Sequence, residues 1–209
     1  MAVIETYQPQ AEQRTQFNVH PVKFTLWLFL VTVTMMFAAF SSAIIVQWPD
    51  AQANGTWVHF HIPTNFTIST ILIVLSSISL QWSYFAAKRN ELTQNRIALS
   101  ITLVLGLAFL FSQYTGYKAL IAENVYLTGL ANSGTRMVSP ISGSFFYMLT
   151  GIHALHVIGG VIFVAATLIS SLRFRVHSKN MLRINLCTTY WHFIGVLWIY
   201  LFALLNIYS

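Results

Sequence analysis

The sequence predicts an all-α, polytopic membrane bundle of five transmembrane helices. Three observations point there. The 209 residues are 56% hydrophobic and only 8% charged, whereas a soluble domain carries roughly 25% charged residues. No Asp, Glu, Lys or Arg occurs between Lys23 and Asp50, Asp50 and Lys88, Arg96 and Lys118, Arg136 and Arg173, or Arg183 and the end. Each window holds the ~20 apolar residues that a membrane-crossing helix needs. Within lipid the backbone must satisfy its own hydrogen bonds. Only helices and closed barrels do so, and these runs are far longer than the ~10-residue strands of a barrel.

The elements follow in order. Residues 1–23 form a polar N-terminal arm with Glu5, Glu12 and Arg14 and no apolar run, unlike a cleavable signal peptide. Residues 24–209 form the transmembrane domain, with helices expected near 24–47, 66–87, 97–117, 142–172 and 184–207. The fourth is long for a hydrocarbon core of ~30 Å and is expected to tilt or protrude. Loop 1, residues 48–65, contains Pro49, Pro63 and two Asn-x-Thr sequons at Asn54 and Asn65.

Loop charge predicts the orientation. Arg14, Lys23, Lys88, Arg89, Arg96, Arg173, Arg175, Lys179 and Arg183 fall on one side, and only Lys118 and Arg136 on the other. Basic loops stay in the cytoplasm, so the N-terminus is expected inside and the C-terminus outside. The net charge of +6 is explained by this bias and by anionic lipid, with no need for nucleic acid. The single cysteine, Cys187, forms no internal disulfide and belongs to no CxxC pattern.

The candidates for chemistry are few. No acid lies inside any expected span, and membrane proton relays and cation sites usually depend on buried Asp or Glu. A P-loop, HExxH or GxSxG pattern is absent. Paired Gly/Pro-broken helices in matching halves, the mark of many transporters, are also missing. His153 and His156 share one face of helix 4, at i and i+3, and His192 lies in helix 5. Three intramembrane imidazoles can ligate haem or a metal. By rise per residue they sit at unmatched depths, which favours contacts to neighbouring helices or lipid. His59 and His61 alternate with Phe60 in loop 1, without an evident third ligand. Gly143, Gly151, Gly159 and Gly160 give helix 4 small surfaces for helix packing. Trp191, Trp198, Phe202 and Leu205 form an aromatic and apolar stripe on helix 5.

Two segments carry a family resemblance. Residues 144–160, SFFYMLTGIHALHVIGG, resemble the (S/T)FF…TGxHxxHVxxG signature of haem-copper oxidase subunit III. Residues 190–202, YWHFIGVLWIYLF, resemble that family's closing YWHFxDxxWxxLF segment. Residues 28–40 are similar to its LFIVSEVMFFAGF run, and parts of helices 2 and 3, with Gln113, match more loosely. The resemblance covers about residues 20–209, in a short five-helix form that looks bacterial; longer members carry two further helices at the front. Three acidic positions of the family fall on Val33, Gly116 and Gly195, so no role of those carboxylates carries over.

The resemblance implies an accessory subunit of a proton-pumping terminal oxidase in the inner membrane of a bacterium. Such a subunit holds no redox centre. It packs against the catalytic subunit I, which carries haem and copper, and binds phospholipid. Partners would be that subunit, the other oxidase subunits and, beyond them, a larger respiratory supercomplex. His153, His156, Trp191, His192 and Trp198 are then structural or lipid-contact residues. The alternatives are a related protein associated with nitric oxide reductase and a stand-alone haem-binding membrane protein.

Overall fold

The computed structural model describes residues 20–55, 57, 62–122, 141–173 and 181–208. It contains α1 (Pro21–Ala53), α2 (Thr64–Lys88), α3 (Leu92–Ala122), α4 (Ile141–Leu172) and α5 (Leu182–Tyr208). All five are long and apolar enough to cross a membrane. At 33, 31 and 32 residues, α1, α3 and α4 each run to about 46–50 Å, so the excess length expected of helix 4 is shared by two more.

Several boundaries differ from the sequence reading; α3 begins at Leu92 rather than near 97, so Arg96 lies inside it. Loop 1 was expected to begin at residue 48, but α1 continues through Pro49 to Ala53. Pro49 removes one backbone donor, so the Ile45 carbonyl lacks its usual partner four residues on. Gly55, at φ +66°, turns the chain just beyond, a conformation that costs glycine little. Trp57 then anchors the turn by donating from Nε1 to the Tyr208 carbonyl at 2.9 Å. Lys118, expected in a loop, lies inside α3 with its ammonium 4.7 Å from the centre of the Tyr114 ring.

α2 and α3 form the tightest pair. Asn90, at φ 65°, reverses the chain between them. The Asn90 amide donates to the Ala87 carbonyl and the Glu91 amide to Ala86, so the last carbonyls of α2 are satisfied by a Schellman arrangement. The buried side of α2 runs Ser69, Ile73, Ser76, Leu80, Ser83 and Ala87. The buried side of α3 runs Leu99, Thr102, Gly106, Phe109, Gln113, Gly116 and Leu120. Both alternate steps of three and four, as in a coiled-coil seam. Small residues bring the backbones close: Ser79 donates across to the Ala98 carbonyl at 3.0 Å.

α4 packs on α3, and α5 packs on both α4 and α2, closing a four-helix bundle. α1 lies outside it, against α5 and α4 only. Phe37 of α1 is its main anchor, buried beside Leu149, Leu197 and Leu201. The opposite side of α1 exposes Trp27, Val31, Met35 and Val46, as suits lipid.

Candidate functional site

The bundle interior is apolar with a thin scatter of hydroxyls and amides. Among the described residues the buried polar side chains are Ser, Thr, Asn95, Gln113 and His153, without an acid, a lysine or an arginine. Most hydroxyls return to their own helix, as Thr150 does to the Phe146 carbonyl and Ser76 to Ile73.

The two tryptophans of the α5 stripe are fully buried. Trp191 donates from Nε1 to Ser76 Oγ on α2 at 3.0 Å. Trp198 donates to Thr70 Oγ1 at the same distance. Each therefore ties α5 to α2 while its ring fills the core. Trp198 meets Phe109 of α3 edge-on, with centroids 5.4 Å apart.

Two of the three intramembrane histidines, His153 and His156, meet at Phe37 of α1, and His192 turns to α2. His153 is fully buried, stacked on Trp198 and flanked by Phe109 and Phe37. Neither of its ring nitrogens has a hydrogen-bond partner among the described residues. His156 spends Nδ1 on the Ile152 carbonyl of its own helix at 2.8 Å and lies against Phe29 and Phe37 of α1. Its own carbonyl accepts from Tyr190 Oη at 2.9 Å. His192 faces α2, where Nε2 donates to Gln81 Oε1 at 3.1 Å. Among the described residues no three His, Cys, Asp or Glu side chains converge. His59 and His61 lie outside the described residues.

The glycines of helix 4 separate into two kinds. A Cβ on Gly160 would stand 2.9 Å from Ile194 Cδ1 and 3.1 Å from the Trp191 ring, so this glycine admits α5. Gly151 has open space at that position, and Gly159 only Tyr190 Oη at 3.6 Å. At these two positions a side chain would find room within this chain. Gly143 is buried near the start of α4.

Sequence reasoning missed a polar tie at the end of the bundle that carries the 2–3 turn. Asn95 of α3 donates from Nδ2 to the Ser83 carbonyl of α2, and its Oδ1 accepts from Ser171 of α4. Arg96 donates to the Ser171 carbonyl and Arg183 to Ser170 Oγ. Arg96 thus caps a terminal carbonyl of α4, and both guanidiniums lie at its C-terminal end, where cations are favoured. The signal was available: Asn95 lies three residues before Ala98 and four before Leu99 on the buried side of α3.

The three positions where the resembled family is acidic have different surroundings. Val33 is packed between α1 and its neighbours. The place of a Gly116 side chain is taken by the Phe66 ring, 2.6 Å from where a Cβ would stand. Gly195 instead opens onto a groove between α2 and α5.

Comparison with known proteins accounts for this arrangement. The family described as "Cytochrome c oxidase subunit III" matches residues 5–209. Cytochrome c oxidase subunit 3 of Corynebacterium diphtheriae is 29% identical over 179 residues, covering 84% of this chain and 82% of that protein. The "Probable cytochrome c oxidase subunit 3" of Nocardia farcinica is 32% identical over the same coverage. The human cytochrome c oxidase subunit 3 is 28% identical, over 87% of this chain and 67% of its own length. Five apolar helices, an uncharged interior and a match over nearly the whole sequence agree: the chain belongs to the cytochrome c oxidase subunit III family.

Proposed function

We propose that this chain serves a haem-copper oxidase as its accessory subunit III without reactive groups of its own. It stabilises the catalytic subunit, in which haem and copper reduce oxygen, and the larger respiratory assembly around it. One observation carries the non-catalytic part of this reading. The described interior holds no carboxylate, lysine or arginine, and membrane proton and ion transfer usually needs such groups. The histidines support it too, because among the described residues they do not converge with other His, Cys, Asp or Glu side chains into a group of three.

The same reading places the chain in a bacterial inner membrane, with the N-terminus inside. Support comes from the bacterial relatives and from nine basic residues against two across the expected loops. Phospholipid headgroups meet the basic end, where Lys88 and Arg89 close α2 and Arg173 follows α4.

Purification through a tag on this chain in mild detergent tests the proposal. The expected result is recovery of an oxygen-consuming complex whose haem and copper reside in other polypeptides. Haem at one per chain in the separated subunit would overturn the non-catalytic reading. Recovery of a nitric oxide reductase instead would reassign the partner. Orientation is read independently by membrane-impermeant labelling of single cysteines next to Arg89 and Lys118.

A further inference from the structure

We infer that the groove between α2 and α5 seats a transmembrane helix of another oxidase polypeptide, one that offers an acceptor oxygen to Ser77 and Gln81. This rests on the accessory-subunit reading and names the face through which it works.

The groove has a volume of about 650 Å³. Its floor is low because Ser77 faces Gly195, where a Cβ would already come within 3.2 Å of Ser77 Oγ. Small residues of this kind let a further helix approach closely. From Ile73 to Phe85, both lining residues, the groove follows α2 for about 18 Å, or three helical turns. Its rims are open to the surroundings: Ile78 is 62% and Val196 66% exposed. Such an open trough presents a long complementary surface to a rod, and holds a small molecule on one side only.

The polar groups decide between protein and lipid. His192 donates to Gln81 Oε1, which leaves the Gln81 amide hydrogens without an acceptor among the described residues. Ser77 also makes no hydrogen bond among them, although its neighbour Ser76 donates to its own helix. The lipid-facing threonines of α1 behave differently. Thr25 and Thr32 each donate to a carbonyl four residues back, so that face asks nothing of its solvent. By rise per residue, Ser77 lies about 2 Å and Gln81 about 8 Å from the midpoint of α2. Headgroup and ester oxygens begin only about 15 Å out, beyond the hydrocarbon core. Acyl chains therefore leave these donors unmet at mid-membrane, whereas a helix with a Ser, Thr, Asn or Gln side chain satisfies them.

The test uses the tagged, intact complex with a photo-crosslinker, Val196→p-benzoylphenylalanine, and the same group at Val46 on the outer side of α1 as control. The expected adduct from position 196 lies in a membrane-spanning peptide of a co-purified oxidase subunit. Gly195→Leu should abolish it by filling the trough. The milder pair Ser77→Ala with Gln81→Leu keeps the fold and should lower retention in the complex about five- to tenfold. Adducts only to lipid or to a small amphiphile, to a second copy of this chain, or to a polypeptide outside the oxidase overturn the inference. So does unchanged retention in the double variant. If any of these occurs while the oxidase still co-purifies, the accessory reading survives and the groove assignment falls. Absence of the oxidase from the preparation removes both.

Discussion

His153 of α4 lies flat against Trp198 of α5, with ring centroids 5.0 Å apart and planes 30° apart. Phe109 of α3 meets His153 nearly edge-on at 6.2 Å, and Phe37 of α1 approaches at 6.4 Å. One imidazole is thus the wedge at which four of the five helices meet. Rings in such offset and edge-on pairs contribute about 0.5–1.5 kcal/mol each beyond the area they bury. The ring nitrogens of His153 meet no hydrogen-bond partner among the described residues.

That geometry makes opposite predictions for two substitutions. His153→Ala removes the wedge and should destabilise the chain by about 2–4 kcal/mol, the range for emptying a buried site. His153→Phe preserves ring packing and relieves two unpartnered nitrogens, so it should cost far less. Thermal unfolding in detergent, followed by loss of the monodisperse peak, ranks the two. The haem spectrum of any assembled complex should be unchanged in both. A haem band lost from an assembled His153→Phe complex would make the histidine a ligand.

The glycines of α4 divide the same way. Gly160→Ala forces a methyl towards Ile194 and Trp191 and should destabilise by about 1–3 kcal/mol, as overpacking does. Gly151→Ala meets open space and should leave the isolated chain within about 0.5 kcal/mol of the original. Comparison of melting midpoints checks both. If Gly151→Leu lowers recovery with the oxidase while the isolated chain stays folded, that glycine serves an intermolecular contact.

Much of this architecture was legible in the sequence. The charge-free windows located all five helices, because a charge at the bilayer centre is expensive and its absence is informative. Helix ends were less legible. Pro49 looked like a boundary, yet Trp48 packs on Tyr208, and that contact sits in the turn α1 continues through. The α2–α3 seam was harder still. In a membrane helix apolar residues cover every face, so hydrophobic periodicity vanishes and small residues carry the pattern instead. Ser76, Ser83 and Gly106 marked that seam without standing out from neighbouring serines and glycines. The separation of Gly160 from Gly159 and Gly151 depends on crossing points between helices, which one sequence does not contain.

Asn95 is the second polar anchor to test. Its carboxamide links α2 and α4 through Ser83 and Ser171, in a position with no exposure. Asn95→Leu should leave the Ser83 carbonyl and the Ser171 hydroxyl short of one partner each. The expected loss is about 1–3 kcal/mol. Asn95→Asp should be worse, because it also introduces a buried charge. Unfolding midpoints of the two variants, measured together with Ser171→Ala, should show coupling between Asn95 and Ser171 in a double-mutant cycle.

Gly116 and Gly195 stand where the pattern that the sequence resembles carries acids, and they should respond unequally when acids are placed there. Phe66 occupies the space beside Gly116, with three ring atoms at 2.6 to 3.1 Å from a Cβ placed there. Gly116→Glu therefore collides with a fully packed aromatic ring and buries a carboxylate, and folded protein should fall sharply. Phe66→Leu should recover part of the loss if the steric conflict dominates. Gly195→Asp projects into the open α2–α5 groove beside Ser77 Oγ and Ile73 and meets no aromatic ring, so the isolated chain should lose less folded protein than with Gly116→Glu. Equal losses for the two acids would mean that buried charge, rather than the Phe66 ring, sets the penalty at Gly116. The Phe66→Leu background separates those causes, because it relieves the contact and leaves the charge in place.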